Sequence, residues 1–161
     1  MNPLAIICLE GLLVEGTDLK ASPPTKHGRM MYEALKSQYQ LLIITTDPNT
    51  ELARAWLKRE HMTGFGSVYC RPENTILSPV DWKVSKIREM QAEGWPVMLY
   101  VDSDPTSVRA AFLEGVPTAL VASPKFGRPE WRPDADRSIK PWDALVDTME
   151  QEQLLKAPPE V

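Results

Sequence analysis

The sequence is poor in nearly everything that would announce a specialised class. Its 161 residues hold two cysteines, Cys8 and Cys70, far apart and in no CxxC pair. That excludes a disulfide framework and reads as two reduced, mostly buried thiols of an intracellular protein. The two histidines, His27 and His61, stand alone without metal-ligand spacing, and both are expected on the surface. Neither sign of charge dominates: 18 Lys and Arg against 22 Asp and Glu leave a net −4. That argues against a surface that binds nucleic acid throughout and leaves room for local patches. Long apolar runs are missing too. Residues 4–9 are apolar, but no basic stretch precedes them, and Glu10 and Glu15 break the run. Neither a signal peptide nor a membrane span is expected, and the location implied is cytoplasmic. No internal repeat and no linker are visible.

What is present is a 43% hydrophobic, 25% charged composition, enough for one domain with a core. Apolar runs alternate with helical patterns, which predicts βαβ units and a parallel sheet. Strands are expected over residues 4–9, 41–45, 67–70, 97–102 and 117–122. The intervening helices begin near Thr25, at Asp47-Pro48, near Val80 and at Asp104-Pro105. Asp47 and Asp104 are read as N-caps with Pro in the first turn. The third helix should turn Val80, Val84 and Ile87 inward and stop at Gly94. The prolines cluster after residue 122, so residues 123–140 are expected to be a loop. A last helix would carry Trp142, Leu145, Val146 and Met149. The domain reading is a core over residues 1–122, with residues 123–161 packed on it.

Ligands of a doubly wound sheet sit outside the C-terminal ends of its strands. Here those ends carry Cys8, Glu10, Thr45, Thr46, Asp102, Ser103 and Asp104. These residues, in this order, resemble the motifs of the haloacid dehalogenase (HAD) superfamily. Ile6-Ile7-Cys8-Leu9-Glu10-Gly11-Leu12-Leu13 stands where that family has a strand ending in Asp-x-Asp-Gly-Thr-Leu. Leu41-Leu42-Ile43-Ile44-Thr45-Thr46 matches the strand ending in Thr or Ser. Lys83 matches the Lys ahead of the fourth strand, and Tyr100-Val101-Asp102-Ser103-Asp104 matches the strand ending in acids. The order from Thr45 to Val121 is similar to the phosphatase part of phage-type polynucleotide kinase-phosphatases. The fold this implies is a three-layer, Rossmann-like (HAD-like) α/β sandwich with a five-stranded parallel sheet. The stretches after motif one and before Lys83 are short, so no cap domain is expected, which suits a large ligand.

The resemblance also implies roles. Cys8 falls at the nucleophile and Glu10 at the general acid/base. Thr45, Thr46 and Lys83 fall at the phosphate contacts, and Asp102 and Asp104 at the metal position. Two departures count against turnover: Cys8 stands where the nucleophilic Asp should be, and Ser103 where a second acid often sits. A thiol at Cys8 removes both the attacking carboxylate and an oxygen ligand that Mg²⁺ needs. Glu10 adds a methylene to the acid. Cys8 does not read as a cysteine-phosphatase nucleophile either, because residues 9–15 contain no Arg to close a phosphate loop and nearby acids raise a thiol pKa. Lys83 alone could equally be a solvated helix Lys, and Asp104 simply an N-cap. Residues 125–133 interleave cations and aromatics, so Arg128, Trp131 and Arg132 are candidates for contacting a partner, with a proline-stiffened surface loop as the alternative.

The reading is therefore an impaired phosphatase fold that binds a phosphorylated ligand or a macromolecular partner, with at most a weakened Mg²⁺ site. The alternatives are a Mg²⁺-dependent phosphomonoesterase acting on nucleotides or nucleic-acid 3′-phosphate ends, and an accessory subunit docking through the Arg/Trp loop.

Overall fold

The computed structural model describes residues 2–15 and 18–121. They belong to the first of two units into which the chain divides, Met1–Ser123 and Pro124–Val161. The expected loop and last helix after residue 122, with Arg128, Trp131 and Arg132, lie outside the described residues.

Five strands and four helices alternate along the described chain. They are β1 (Leu4–Cys8), α1 (Lys26–Lys36), β2 (Gln40–Thr45), α2 (Thr50–Arg59), β3 (Ser67–Cys70), α3 (Pro79–Ala92), β4 (Val97–Asp102), α4 (Pro105–Leu113) and β5 (Thr118–Leu120). The sheet order is β3-β2-β1-β4-β5, with every neighbouring pair parallel. The chain runs outward from β1 through β2 to β3, then crosses back to place β4 on the other side of β1. The C-terminal ends of β1 and β4 thus flank the switch point where such sheets leave a crevice.

Alternation along the strands divides the core into two layers. Ala5, Ile7, Leu41 and Ile43 pack with Tyr32 of α1 and Ala53, Trp56 and Leu57 of α2. Ile6, Cys8, Leu42, Ile44 and Tyr100 pack with Trp82, Ile87 and Met90 of α3 and Val108 and Ala111 of α4. This is the expected three-layer α/β sandwich. Among the described residues no helix is long and apolar enough to cross a membrane.

Each helix start has a polar cap. Thr25 accepts from the Gly28 N–H, Asn49 from Leu52, Ser78 from Asp81, and Asp104 from Thr106 and Ser107. The second helix start differs from expectation. Asp47 is not its cap: α2 begins at Thr50, and the Asp47 carboxylate instead accepts from the Asn49 N–H at 2.8 Å. Thr45 Oγ1 and Glu10 hold the Asp47 N–H, keeping this stretch outside the helix.

The inward face of α3 also differs. Trp82, Lys83, Ile87 and Met90 are buried, while Val80 and Val84 are only partly covered. Apolar spacing misplaces this face because a charged residue, Lys83, belongs to it. Strand β5 is shorter than expected.

The connection after β1 is not a surface loop. Leu12, Leu13, Val14 and Leu19 are all buried in the α1–α2 layer. Gly11 turns the chain there with φ 74°, a conformation other residues adopt at a cost. Gly28 lets α1 approach this connection, since a Cβ would collide with the Leu12 carbonyl oxygen.

Candidate functional site

Two polar clusters meet at the C-terminal ends of β1, β2 and β4. The first is built from β4, α3 and α4. Asp102 ends β4 on the face that Tyr100 shares, two residues earlier, and that face looks toward α3 and α4. Lys83 reaches in from α3, and its Nζ lies 2.9 Å from Asp102 Oδ2 and 3.2 Å from Ser107 Oγ. The Tyr100 hydroxyl donates to the same Asp102 oxygen at 2.6 Å. The Asp104 N–H donates to Asp102 Oδ1 at 3.1 Å, so both carboxylate oxygens are engaged. Side-chain exposure is 8% for Lys83 and 1% for Asp102, so the pair is a buried ion pair and Lys83 is not a solvated helix residue. Burial by itself would lower the Lys83 pKa. The Asp102 carboxylate and its hydrogen bond to Nζ oppose burial, and the net shift is upward. Burial, then Asp102, hold the Tyr100 phenol well above its ordinary value.

The second cluster is built from β1, β2 and the turns after them. Glu10 stands just beyond β1, partly exposed. One carboxylate oxygen, Oε1, accepts from the Thr45 hydroxyl, from the Thr46 N–H at 2.8 Å and from the Asp47 N–H at 3.4 Å. The other, Oε2, lies 3.1 Å from Cys8 Sγ and accepts from the thiol. The Glu10 carbonyl oxygen accepts from Ser103 Oγ at 3.3 Å, which ties the turn after β1 to the end of β4. Cys8 itself is buried at the end of β1. Its pKa is raised well above the ordinary thiol value, first by burial and then by the charges of Glu10 and Asp102. The Cys8 sulfur is accordingly a protonated hydrogen-bond donor at neutral pH, not a thiolate nucleophile.

Cys8, Glu10, Thr45, Thr46, Lys83, Asp102 and Asp104 therefore come together at one edge of the sheet. They fall into two hydrogen-bonded clusters. Lys83 turns to Asp102, and Thr45 and Thr46 turn to Glu10. The Asp104 carboxylate caps α4 and accepts from Ser107 Oγ at 2.5 Å. Two members of the network escape sequence reading. Tyr100 is two residues before Asp102 and so on the same strand face, a signal that alternation carries. Ser107 carries no signal beyond lying in the first turn of α4. Among the described residues, no three or more His, Cys, Asp or Glu side chains assemble as a metal-ligating group.

Comparison with known proteins bears on the fold. No protein-family model matches the chain, and no curated protein does. A chain in a solved structure of the Pnkp1/Rnl/Hen1 RNA repair complex superimposes with a TM-score of 0.62 at 19% identity, over 78% of this chain and 44% of that one. A second structure of the Pnkp1/Rnl/Hen1 complex gives 0.61 at 18% identity, over 75% and 46%. At these identities the likeness is one of fold, and this chain spans less than half the length of either of these two chains.

Proposed function

We propose that this is a phosphatase-fold domain of the HAD type that has given up phosphotransfer and works by binding a phosphorylated ligand. The observation that carries the reading is the state of Cys8. An aspartyl-phosphate mechanism needs a carboxylate that can attack phosphorus. In that place stands a buried thiol that donates to Glu10 and is kept protonated. The general acid/base position is spent as well, because the Glu10 carboxylate is bound by Thr45, Thr46 and Cys8.

The donor set also fits Mg²⁺ poorly. That ion asks for several free oxygen ligands in an octahedral arrangement. Cys8 offers sulfur, and the Asp102 oxygens already accept from Lys83, Tyr100 and the Asp104 N–H. A Mg²⁺-dependent phosphomonoesterase is therefore the less favoured alternative.

The ligand class we infer is a nucleic-acid end bearing a terminal phosphate. Two things support it: the order of motifs shared with polynucleotide phosphatases, and the fold shared with a chain of an RNA repair complex. The short connector between β3 and α3 suits a large ligand. Membership of the related chains in a complex also favours an accessory role beside a protein partner.

The test is fluorescence anisotropy with a labelled oligonucleotide ending in a 3′-phosphate or a 3′-hydroxyl. Tighter binding of the phosphorylated end, weakened by Thr45→Val, is expected. Equal affinity for both ends would overturn the reading.

A further inference from the structure

The three donors that converge on Glu10 Oε1 make a small oxyanion seat: one hydroxyl and two successive backbone N–H groups at the end of β2. Successive N–H groups in a turn form an anion-binding concavity whatever the anion. Here the anion comes from the chain itself. Glu10 is only partly buried, yet its carboxylate is held by Thr45, Thr46, Asp47 and Cys8 rather than left to water. Lys83, the nearest cation of the neighbouring cluster, is closed off by Asp102 and Ser107. The seat is thus built and filled.

We propose that Glu10 is a built-in ligand that occupies the oxyanion seat of Thr45, Thr46 and Asp47, and that a phosphate-bearing ligand binds there by displacing it. The inference rests on the reading of this edge as a phosphate-binding site and adds how that site is gated. A phosphate monoester carries close to two negative charges and three acceptor oxygens, so it can take over the same donors. Glu10 competes with the advantage of a tether, which makes its local concentration high. Apparent affinity for the external anion is then reduced by the fraction of time the seat stands open. Glu10 is partly exposed, so its side chain can turn to solvent while its backbone stays in place.

The test uses inorganic phosphate as the probe, read by ³¹P NMR line broadening and by thermal shift. The proteins are wild type, Glu10→Ala, Glu10→Gln and the double variant Glu10→Ala with Thr45→Val. Wild type should bind weakly. Glu10→Ala should bind at least about tenfold more tightly, as expected when a competitor that fills the seat most of the time is removed. Glu10→Gln, which keeps the side-chain shape without the charge, should fall between and stands in if the alanine variant does not fold. The double variant should lose the gain. Equal, Thr45-dependent binding by wild type and Glu10→Ala would overturn the gate and leave the phosphate site standing. A gain that survives Thr45→Val would place the anion elsewhere and overturn the seat. No binding by any variant would overturn both.

Discussion

The two halves of the sheet's C-terminal edge carry similar residue types and have opposite characters. Around β4, a lysine and a carboxylate are sealed from water and satisfy one another, with Tyr100 and Ser107 completing the set. Around β1 and β2, a carboxylate at the rim is held by a hydroxyl, backbone N–H groups and a thiol. The first arrangement is fixed by the cost of separating buried charges. The second pairs no buried charge with another, and its carboxylate, on the partly exposed Glu10, is held by neutral donors. Structure is thus concentrated at Lys83–Asp102, and the proposed ligand seat lies at Glu10–Thr45.

Stability measurements should separate the halves. Breaking a buried ion pair by removing one partner costs about 3–5 kcal/mol, so Asp102→Asn should lower unfolding stability in urea by that order. Replacing both members, with Lys83→Met added, should recover most of the loss, because no unpaired charge remains. Thr45→Val on the other half should cost only about 1 kcal/mol, a typical net hydrogen bond. Equal losses at Asp102 and Thr45 would erase the distinction.

A smaller effect should appear at alkaline pH. The folded-state pKa values of Cys8, Tyr100 and Lys83 are all raised. The folded protein therefore holds protons that the unfolded chain has already released, and stability falls as pH rises. Stability should be intact below the ordinary thiol value of 9.0 and decline above it. Burial also raises Cys70, and burial together with the charge of Glu33 pushes Tyr32 up to about 12, so both add to the decline. Cys8→Ala should shallow the first part of the decline without abolishing it. An unchanged profile in Cys8→Ala would show that the thiol is not held protonated.

The architecture is legible in the sequence because short apolar runs between helical patterns leave few alternatives to a parallel sheet. The strand-end residues emerge from that order, and seven of the site candidates do gather at one edge. Their partners are not legible. The burial of Lys83 depends on Asp102, nineteen positions away, and a lone helix Lys carries no mark of such a pairing. The turn of Glu10 into the Thr45 seat depends on a contact thirty-five residues apart, while the sequence suggests only an acid with an extra methylene. The inward face of α3 is hidden for the same reason, since hydrophobic spacing assigns a cation to solvent. Capping chemistry succeeds at Asp104 and fails at Asp47, where Asn49 two residues on does the capping.

The central claim is the proposed absence of phosphotransfer, traced to the thiol at position 8. The most direct measurement is phosphate release from an aryl phosphate and from a 3′-phosphorylated oligonucleotide, with Mg²⁺ present. Wild type is expected to release nothing above the uncatalysed background. Turnover that is abolished both by EDTA and by Asp102→Asn would contradict the account.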